Sequence, residues 1–511
     1  MIPILDVAGM READRVTISE LGLPGLVLME RAAAAVSDVV GERFADAERV
    51  LVVCGPGNNG GDGLAVARQL VARGANAEAV LLVEPAQLHG DAATQLALAR
   101  SFGVPVHVCA SGPLDELAGL LADAHVVVDA LFGTGLDRTL DGRWQTVIEL
   151  IDGAGWPVVA IDLPSGLSGS TGVVSGPSLR AAVTVTFGAP KLAHVLPPAS
   201  ARCGEVAVAD IGIPAWLIER NAAAGLLEHD DVAAWLPLRE ADAHKGSFGH
   251  LLVIAGRVGR AGAAALAARA AVNLGAGLVT VATANGAVTP IQSSVPEAMV
   301  DGLPQGDDGQ ASGEGVAALL DRATAVAIGP GLGLGAGPRR LLDAVLERWR
   351  GPLLLDADAL TLLDGRLDRL AGRGTETVLT PHPGELARLL GAGTAEVAAD
   401  RLGAARRAAS ASGATVLAKG ARTVIVAPVG RPLVNPTGSA GLASGGAGDV
   451  LTGVIGALLA QGVSGIQACA LGAWLHGRAA ELAGDDWPGA VPASVVAAHL
   501  PAAEAELREP A

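Results

Sequence analysis

The sequence predicts an α/β protein of two domains, each built on a largely parallel sheet covered by helices. Three observations carry that expectation. A chain of 511 residues exceeds what one hydrophobic core organises. Short β-branched runs alternate with Ala-rich helical stretches in both halves. Several of these runs end directly in Gly or Asp, as strands do where they hand over to a helix at the carboxyl edge of a parallel sheet.

Taken in order, residues 30–40 read as a helix and 49–54 as a strand that enters a Gly-rich turn at 55–63. Helical spacing returns at 64–73, and strands follow at 79–83, 126–131, 158–161 and 182–187. Residues 205–211 alternate weakly and suit an edge strand. The stretch 214–243 differs: it carries Trp216, Trp235 and the acidic Glu228-His229-Asp230-Asp231, with no Gly-rich strand end. The inter-domain connection is placed there, near 220–228, giving domains 1–220 and 225–505. The strand–helix rhythm then restarts at 251–255, 278–282, 325–328, 352–355, 377–379, 415–418 and 423–427, before a long helical tail. No period of 20 to 50 residues marks a solenoid.

Composition narrows the function. Half the residues are hydrophobic but 2% are aromatic and none is Tyr, so Ala, Val and Leu must fill the cores. A net charge of -17 argues against a nucleic-acid face, which needs basic residues. Small phosphorylated ligands stay open, because helix N-termini and backbone amides hold them locally. Apolar stretches such as 450–460 fall short of the roughly 20 residues that span a bilayer. The first residues lack a basic, signal-like segment, so a cytoplasmic protein without membrane partners is expected, and a homo-oligomer. Cys54, Cys109, Cys203 and Cys469 are scattered, which suits isolated buried thiols.

Gly55, Gly57 and Gly60 match GxGxxG in a strand–turn–helix setting. Asn58, Asn59 and Asp62 are unusual in a pyrophosphate cradle, since a carboxylate at a helix start competes with phosphate for the same dipole. A tight turn capped by Asp62 is the plainer alternative. Two more strand ends deliver Asp129, followed by Gly133-Thr134-Gly135, and Asp162-Leu163-Pro164-Ser165-Gly166. Three such loops at carboxyl ends would face one polar crevice.

In the second half, strand 325–328 ends in Gly329-Pro330-Gly331, and strand 377–379 in Thr380-Pro381-His382-Pro383-Gly384-Glu385. No GxxxxGK[ST] loop occurs. The sharpest feature is Gly445-Gly446-Ala447-Gly448-Asp449 opening a helix. Small residues let backbone amides converge and the helix adds its positive end, which makes an anion hole for a transferring phosphoryl group. Asp449 is placed to take a proton from an attacking hydroxyl there.

NNGGDG, DALFGTGL and AIDLPSG, in this order, resemble the Rossmann-like epimerase domain of the NAD(P)H-hydrate repair enzymes, a three-layer αβα sandwich, over residues 1–214. The resemblance implies that Asn58, Asn59, Gly60, Gly61 and Asp62 contact the dinucleotide, with Gly133, Thr134, Gly135, Leu136, Asp137, Arg138 and Thr139. It implies Asp162 at the hydrated nicotinamide, as acid–base catalyst, and K+ held by Asn59, Asp129 and Ser165. Arg31 departs from the pattern, where an Asn is usual.

KGSFGHLLVIAG, GPGLG, TPHPGE, KGART and GGAGD resemble the nucleotide-dependent NAD(P)H-hydrate dehydratases, a ribokinase-like αβα branch, over about 225–503. That implies Ala263, Gly331, His382 and the catalytic Asp449 at the hydrate. Lys419, Gly420, Ala421, Arg422, Thr423 and Gly448 are implied at the adenine nucleotide, with ADP and Mg2+ as co-substrate. The expected function is epimerisation of hydrated NADH or NADPH joined to dehydration, releasing AMP and phosphate. The rival is a small-molecule kinase carrying a non-catalytic dinucleotide-binding module.

Overall fold

Val-rich runs in the first half pair into a seven-stranded, all-parallel sheet. Its strands are β1 (Val50–Cys54), β2 (Ala77–Leu81), β3 (Val106–Val108), β4 (Val126–Ala130), β5 (Val158–Ile161), β6 (Val183–Phe187) and β7 (Glu205–Ala209). The order is β3-β2-β1-β4-β5-β6-β7. The chain winds outward from β1 one way and from β4 the other, so the loops after these two strands part and leave a crevice. Every residue of β1, β4, β5 and β6 is buried, which is why they read as unbroken apolar runs. Strand β7 lies at the edge, half exposed, as its weak alternation suggests. The opposite edge strand, β3, has three residues including His107 and offers no apolar run to read.

The computed structural model describes residues 1–509 apart from 137, 138, 241, 485, 486 and 488. Two compact units divide between Ala224 and Gly225. The second contains β8 (Ala224–Leu226), β9 (His250–Ile254), β10 (Leu278–Ala284), β11 (Met299–Leu303), β12 (Ala325–Ile328), β13 (Leu353–Leu355), β14 (Thr377–Leu379), β15 (Thr415–Ala418), β16 (Val424–Val426) and β17 (Leu433–Val434). Their order is β8-β17-β16-β15-β14-β13-β12-β9-β10-β11. Strand β16 runs antiparallel to both neighbours; the other pairs are parallel. Strands β8, β11 and β17 lie outside the sequence expectation, because they are very short or, in β11, largely exposed and broken by Asp301-Gly302.

The cores are made of small aliphatic residues, as the missing aromatics require. The stretch 450–460 belongs to the helix Ala447–Ala460, buried along nearly its whole length against β12 and the helix Ala261–Asn273. A helix apolar all round belongs inside a core. A Cβ on Gly453 would lie 2.0 Å from the Ala267 carbonyl oxygen, so the glycine is what lets the two helices approach. Among the described residues no helix is long and apolar enough to cross a membrane. All four cysteines are free and buried.

One boundary differs from expectation. The helix after β1 starts at Asn58, not Leu64, with Gly57 as its N-cap. Asp62 therefore lies inside the helix and does not cap it. Glycines read as a turn are accommodated in the helix because packing demands their size: a Cβ on Gly60 would sit 2.1 Å from the Gly55 carbonyl oxygen, and one on Gly61 2.9 Å from Met29 Cε.

Candidate active sites

The crevice at the carboxyl ends of β1 and β4 opens into a cavity of about 530 Å³. Asn58, Asn59, Asp62, Gly133, Thr134, Gly135, Leu136 and Asp162 all line it, so the three motifs converge as their positions at strand ends imply. Gly60, Gly61 and Thr139 are not in its wall; Thr139 packs beside Gly176. Asp137 and Arg138 fall outside the described residues. Arg31 turns away toward exposed Asp210, at 3.5 Å. Gly133 is the joint of the site: a Cβ there would stand 3.1 Å from Asn59 Oδ1 and 3.2 Å from Asp162 Oδ2.

Asp162 follows β5 in the left-handed region, with φ of 65°, a conformation that Asp tolerates better than most side chains. Its carboxylate is held on three sides. Lys191 Nζ donates to Oδ1 at 2.8 Å, Thr186 Oγ1 donates to Oδ1 at 3.0 Å, and the Thr134 amide donates to Oδ2 at 3.2 Å. Lys191 is 0% exposed and spends its other protons on Thr186 Oγ1 and the Phe187 carbonyl. Burial alone would raise the Asp162 pKa, but the Lys191 charge and hydrogen bond hold it below the usual carboxylate range. His194 locks the same turn: its Nδ1 accepts from the Lys191 amide at 2.9 Å and its Nε2 lies 2.8 Å from the Asp162 carbonyl. Burial, then Lys191, push His194 down to about 4, so it stays neutral.

Behind this layer Asp129 is buried. Its Oδ1 accepts from Ser165 Oγ at 2.6 Å and from the Leu131 amide at 3.2 Å, and its Oδ2 accepts from the Ser165 amide at 2.7 Å. Ser165 Oγ in turn accepts from the Phe132 amide at 3.0 Å, beside the Gly133 backbone that faces Asn59. The buried Asn59 Nδ2 has no hydrogen-bond partner among the described residues. A carboxylate, a hydroxyl, an amide oxygen and the nearby Phe132 carbonyl form an oxygen-only set, which suits a hard cation.

In the second unit the helix Ala447–Ala460 begins on Gly446, whose φ of 95° demands glycine. Asp449 lies in its first turn, and burial, then Asp356, push its carboxyl up to about 6 while Lys419 opposes the rise. A Cβ on Gly448 would be 3.4 Å from Lys419 Nζ, so the ammonium stands beside the helix's first amides. Lys419 is anchored by Asp356 Oδ1 at 2.7 Å, and the other Asp356 oxygen accepts from Thr452 Oγ1 at 2.6 Å. The Lys419 amide donates to Pro381, which brings the TPHPGE strand end alongside. Gly331 and Ala263 also meet: a Cβ on Gly331 would lie 3.1 Å from Ala263 Cβ.

His382 caps the helix Pro383–Leu390. Its Nδ1 accepts from the Gly384 amide at 3.0 Å and the Glu385 amide at 3.4 Å, while Glu385 Oε2 accepts from the His382 amide at 2.8 Å. The ring is more than half exposed, with its Nε2 3.5 Å from Glu385 Oε1. The Lys419–Thr423 segment joins β15 to β16; its Ala421 and Arg422 carbonyls accept from Arg401, and Thr423 Oγ1 donates to the Gly420 carbonyl at 2.9 Å.

Sequence reasoning missed Lys191, Thr186 and His194 in the first unit and Asp356 and Thr452 in the second. A signal existed for two of them. Lys191 is a lone cation within a mostly apolar stretch, and Asp356 directly follows β13, as Asp162 follows β5.

These two sites define the class: a polar crevice at the carboxyl ends of a doubly wound sheet, and a glycine-rich helix start beside a Lys–Asp pair on a second α/β sheet. The model of the YjeF-related protein N-terminus matches residues 25–193, and that of the NAD(P)H-hydrate dehydratases matches 251–501. A bifunctional NAD(P)H-hydrate repair enzyme of Moorella thermoacetica is 42% identical over 489 residues, covering 94% of this chain and 92% of the relative. One from Thermofilum pendens is 36% identical, with the same coverages. The ADP/ATP-dependent NAD(P)H-hydrate dehydratase of Bacillus subtilis, co-crystallized with ATP and Mg2+, is 33% identical with a TM-score of 0.49, over 56% of this chain and 99% of that one. The chain belongs to the family of bifunctional NAD(P)H-hydrate repair enzymes, and unites an epimerase half with a dehydratase half.

Proposed function

We propose that the cavity at Asp162 binds the hydrated nicotinamide dinucleotide and interconverts its epimers, and that the Asp449 site dehydrates the S epimer with ADP as phosphoryl donor. The observation that carries the first half is the Lys191–Asp162 pair, a carboxylate kept ionised inside a cavity lined by three strand-end loops. Asp162 accepts a proton at the hydrated ring carbon. Asn59, Asp129 and Ser165 would hold K+, which would fix the loops that carry Asn59 and Gly133.

In the second half, Asp449 takes the proton of the hydrate hydroxyl, whose oxygen attacks the terminal phosphoryl group of ADP. The amides at Gly446–Gly448 and the Lys419 ammonium hold the phosphates there. AMP leaves as the new oxygen–phosphorus bond forms. The phosphate, a far better leaving group than hydroxide, then departs from the ring carbon while the neighbouring carbon gives up a proton to solvent, which restores the ring double bond. Mg2+ entering with the nucleotide would bind phosphate oxygens and neutralise their charge; the fields of Asp358 and Glu385 reach Asp449 and Lys419. Ala263, Gly331 and His382 contact the hydrate, and the Lys419–Thr423 turn contacts the adenine nucleotide.

Incubating the protein with both NADH hydrate epimers, with ADP or with ATP, tests this reading. Recovery of reduced-nicotinamide absorbance from both epimers requires both sites. Accumulation of a stable phosphorylated product would instead favour a kinase.

A further inference from the structure

Expelling a hydroxyl from a ring carbon requires a proton for the departing oxygen, and Asp162 is poorly arranged to give one. All three of its partners are donors: the Lys191 ammonium, the Thr186 hydroxyl and the Thr134 amide. Such surroundings favour the anion. A second carboxyl opens on the same cavity from a separate element. Asp14 lies on the helix Val7–Ser19, one turn beyond Met10 and Arg11, which also line the wall. Among the described residues no hydrogen bond acts on it, only burial and the charges of Lys191 and Asp162.

We propose that Asp14 is the acid that protonates the departing hydroxyl of the hydrate in the epimerase half. The proposal rests on the epimerase reading of the first unit and gives its site a second catalytic group. The ring C–O bond breaks with its electron pair on oxygen, the Asp14 proton converts that oxygen to water, and the ring nitrogen lone pair closes a C=N bond. Water then adds to the opposite face and the nitrogen recovers its pair. The adduct is a strongly acidic oxonium, so even the weakly basic Asp162 carboxylate can take its proton. Solvent afterwards returns a proton to Asp14 and removes one from Asp162.

The charged neighbours favour this division. Lys191 is the one ammonium in contact with the cavity carboxyls among the described residues, and Asp162 holds it. Burial pushes Asp14 up to about 6, and the nearby Asp162 charge adds to the rise. Asp62, facing from the helix Asn58–Ala72, is raised well above the usual range by burial. Arg11 and Asp91 are the other charged groups in the wall. Both Asp14 and Asp62 feel the Asp162 charge, and Asp14 feels that of Lys191 as well.

The test uses the full chain with Asp14→Asn and Asp62→Asn, following epimer interconversion chromatographically. Calorimetric unfolding is the control for folding of the first unit, and dehydration of the S epimer is the control for the second. Asp14→Asn should lower the epimerase kcat by about a hundredfold or more with little change in KM, and leave dehydration intact. The wild-type epimerase kcat should fall as pH rises through about 6, and Asp14→Asn should lose that limb. An Asp14→Asn protein that keeps the wild-type kcat, or keeps the limb, overturns the proposal, as does loss confined to Asp62→Asn. A wild-type protein that dehydrates but does not interconvert epimers overturns the epimerase reading itself, and the role of Asp14 with it.

Discussion

Asp162 and Asp449 are both carboxyls taken out of water, yet their neighbours drive them in opposite directions. Lys191 sits directly on Asp162 and keeps it ionised against burial, whereas Lys419 is already bound to Asp356 and offsets only part of the cost at Asp449. Replacing Lys191 with Met should leave a buried carboxylate uncompensated, which costs about 3–5 kcal/mol. Denaturant unfolding would show that loss, and epimer interconversion should fall with it; an unchanged midpoint would mean the pair is not buried as described. For Asp449 the sign runs the other way. A base must be deprotonated, so dehydration should slow as pH falls through about 6. A carboxyl whose folded pKa exceeds its unfolded value opposes folding once ionised. Asp449→Asn should therefore abolish dehydration while raising the thermal midpoint slightly at pH 8, measurable by calorimetry.

Elements carry these side chains to their places, and two contacts decide whether they can. Gly453 lets the helix Ala447–Ala460 lie against the backbone near Ala267. Gly453→Ala should force the helices apart, cost about 1–3 kcal/mol and displace Asp449, lowering dehydratase kcat but leaving epimerisation unchanged. His382 does two jobs that one pair of variants can separate. His382→Ala removes the N-cap and should cost about 1 kcal/mol. His382→Asn can still cap the helix, so if its stability is kept and KM for the hydrate rises, the exposed ring touches substrate. Equal KM in both variants and the wild type would leave His382 a cap alone.

At the scale of the molecule, the two sites sit in separate units, each with its own sheet and core. A chain with Asp162→Asn should therefore dehydrate the S epimer and leave the R epimer to slow spontaneous conversion. One with Asp449→Asn should interconvert epimers and dehydrate neither. Mixed together in solution, the two variants should recover both epimers with ADP. Failure of the mixture, with each single activity present, would mean the intermediate passes only within one chain.

What was legible in the sequence follows from local physics. Strands buried on both faces must be apolar along their length, so β1, β4, β5 and β6 stood out within a residue or two. Strand-end loops must be small and polar, so NNGGDG, the Asp162 loop and GGAGD marked themselves. The edge strand β3 buries too little to leave a pattern, and β17, buried between two neighbours, has only two residues, too few to show one. The glycines near residue 60 suggested a turn, because the sequence does not say whether a glycine is there for its backbone angles or for its lack of a side chain.

Asp162 and Asp449 thus stood out as candidate site residues by their positions after a strand and at a helix start. Their charge states were not. Those depend on Lys191, 29 positions from Asp162, and on Asp356 and Lys419, 63 positions apart. Electrostatic energy depends on distance in space and on burial, and only the tertiary structure brings Lys191 within 3 Å of Asp162, Lys419 within 3 Å of Asp356, and that second pair into the field of Asp449.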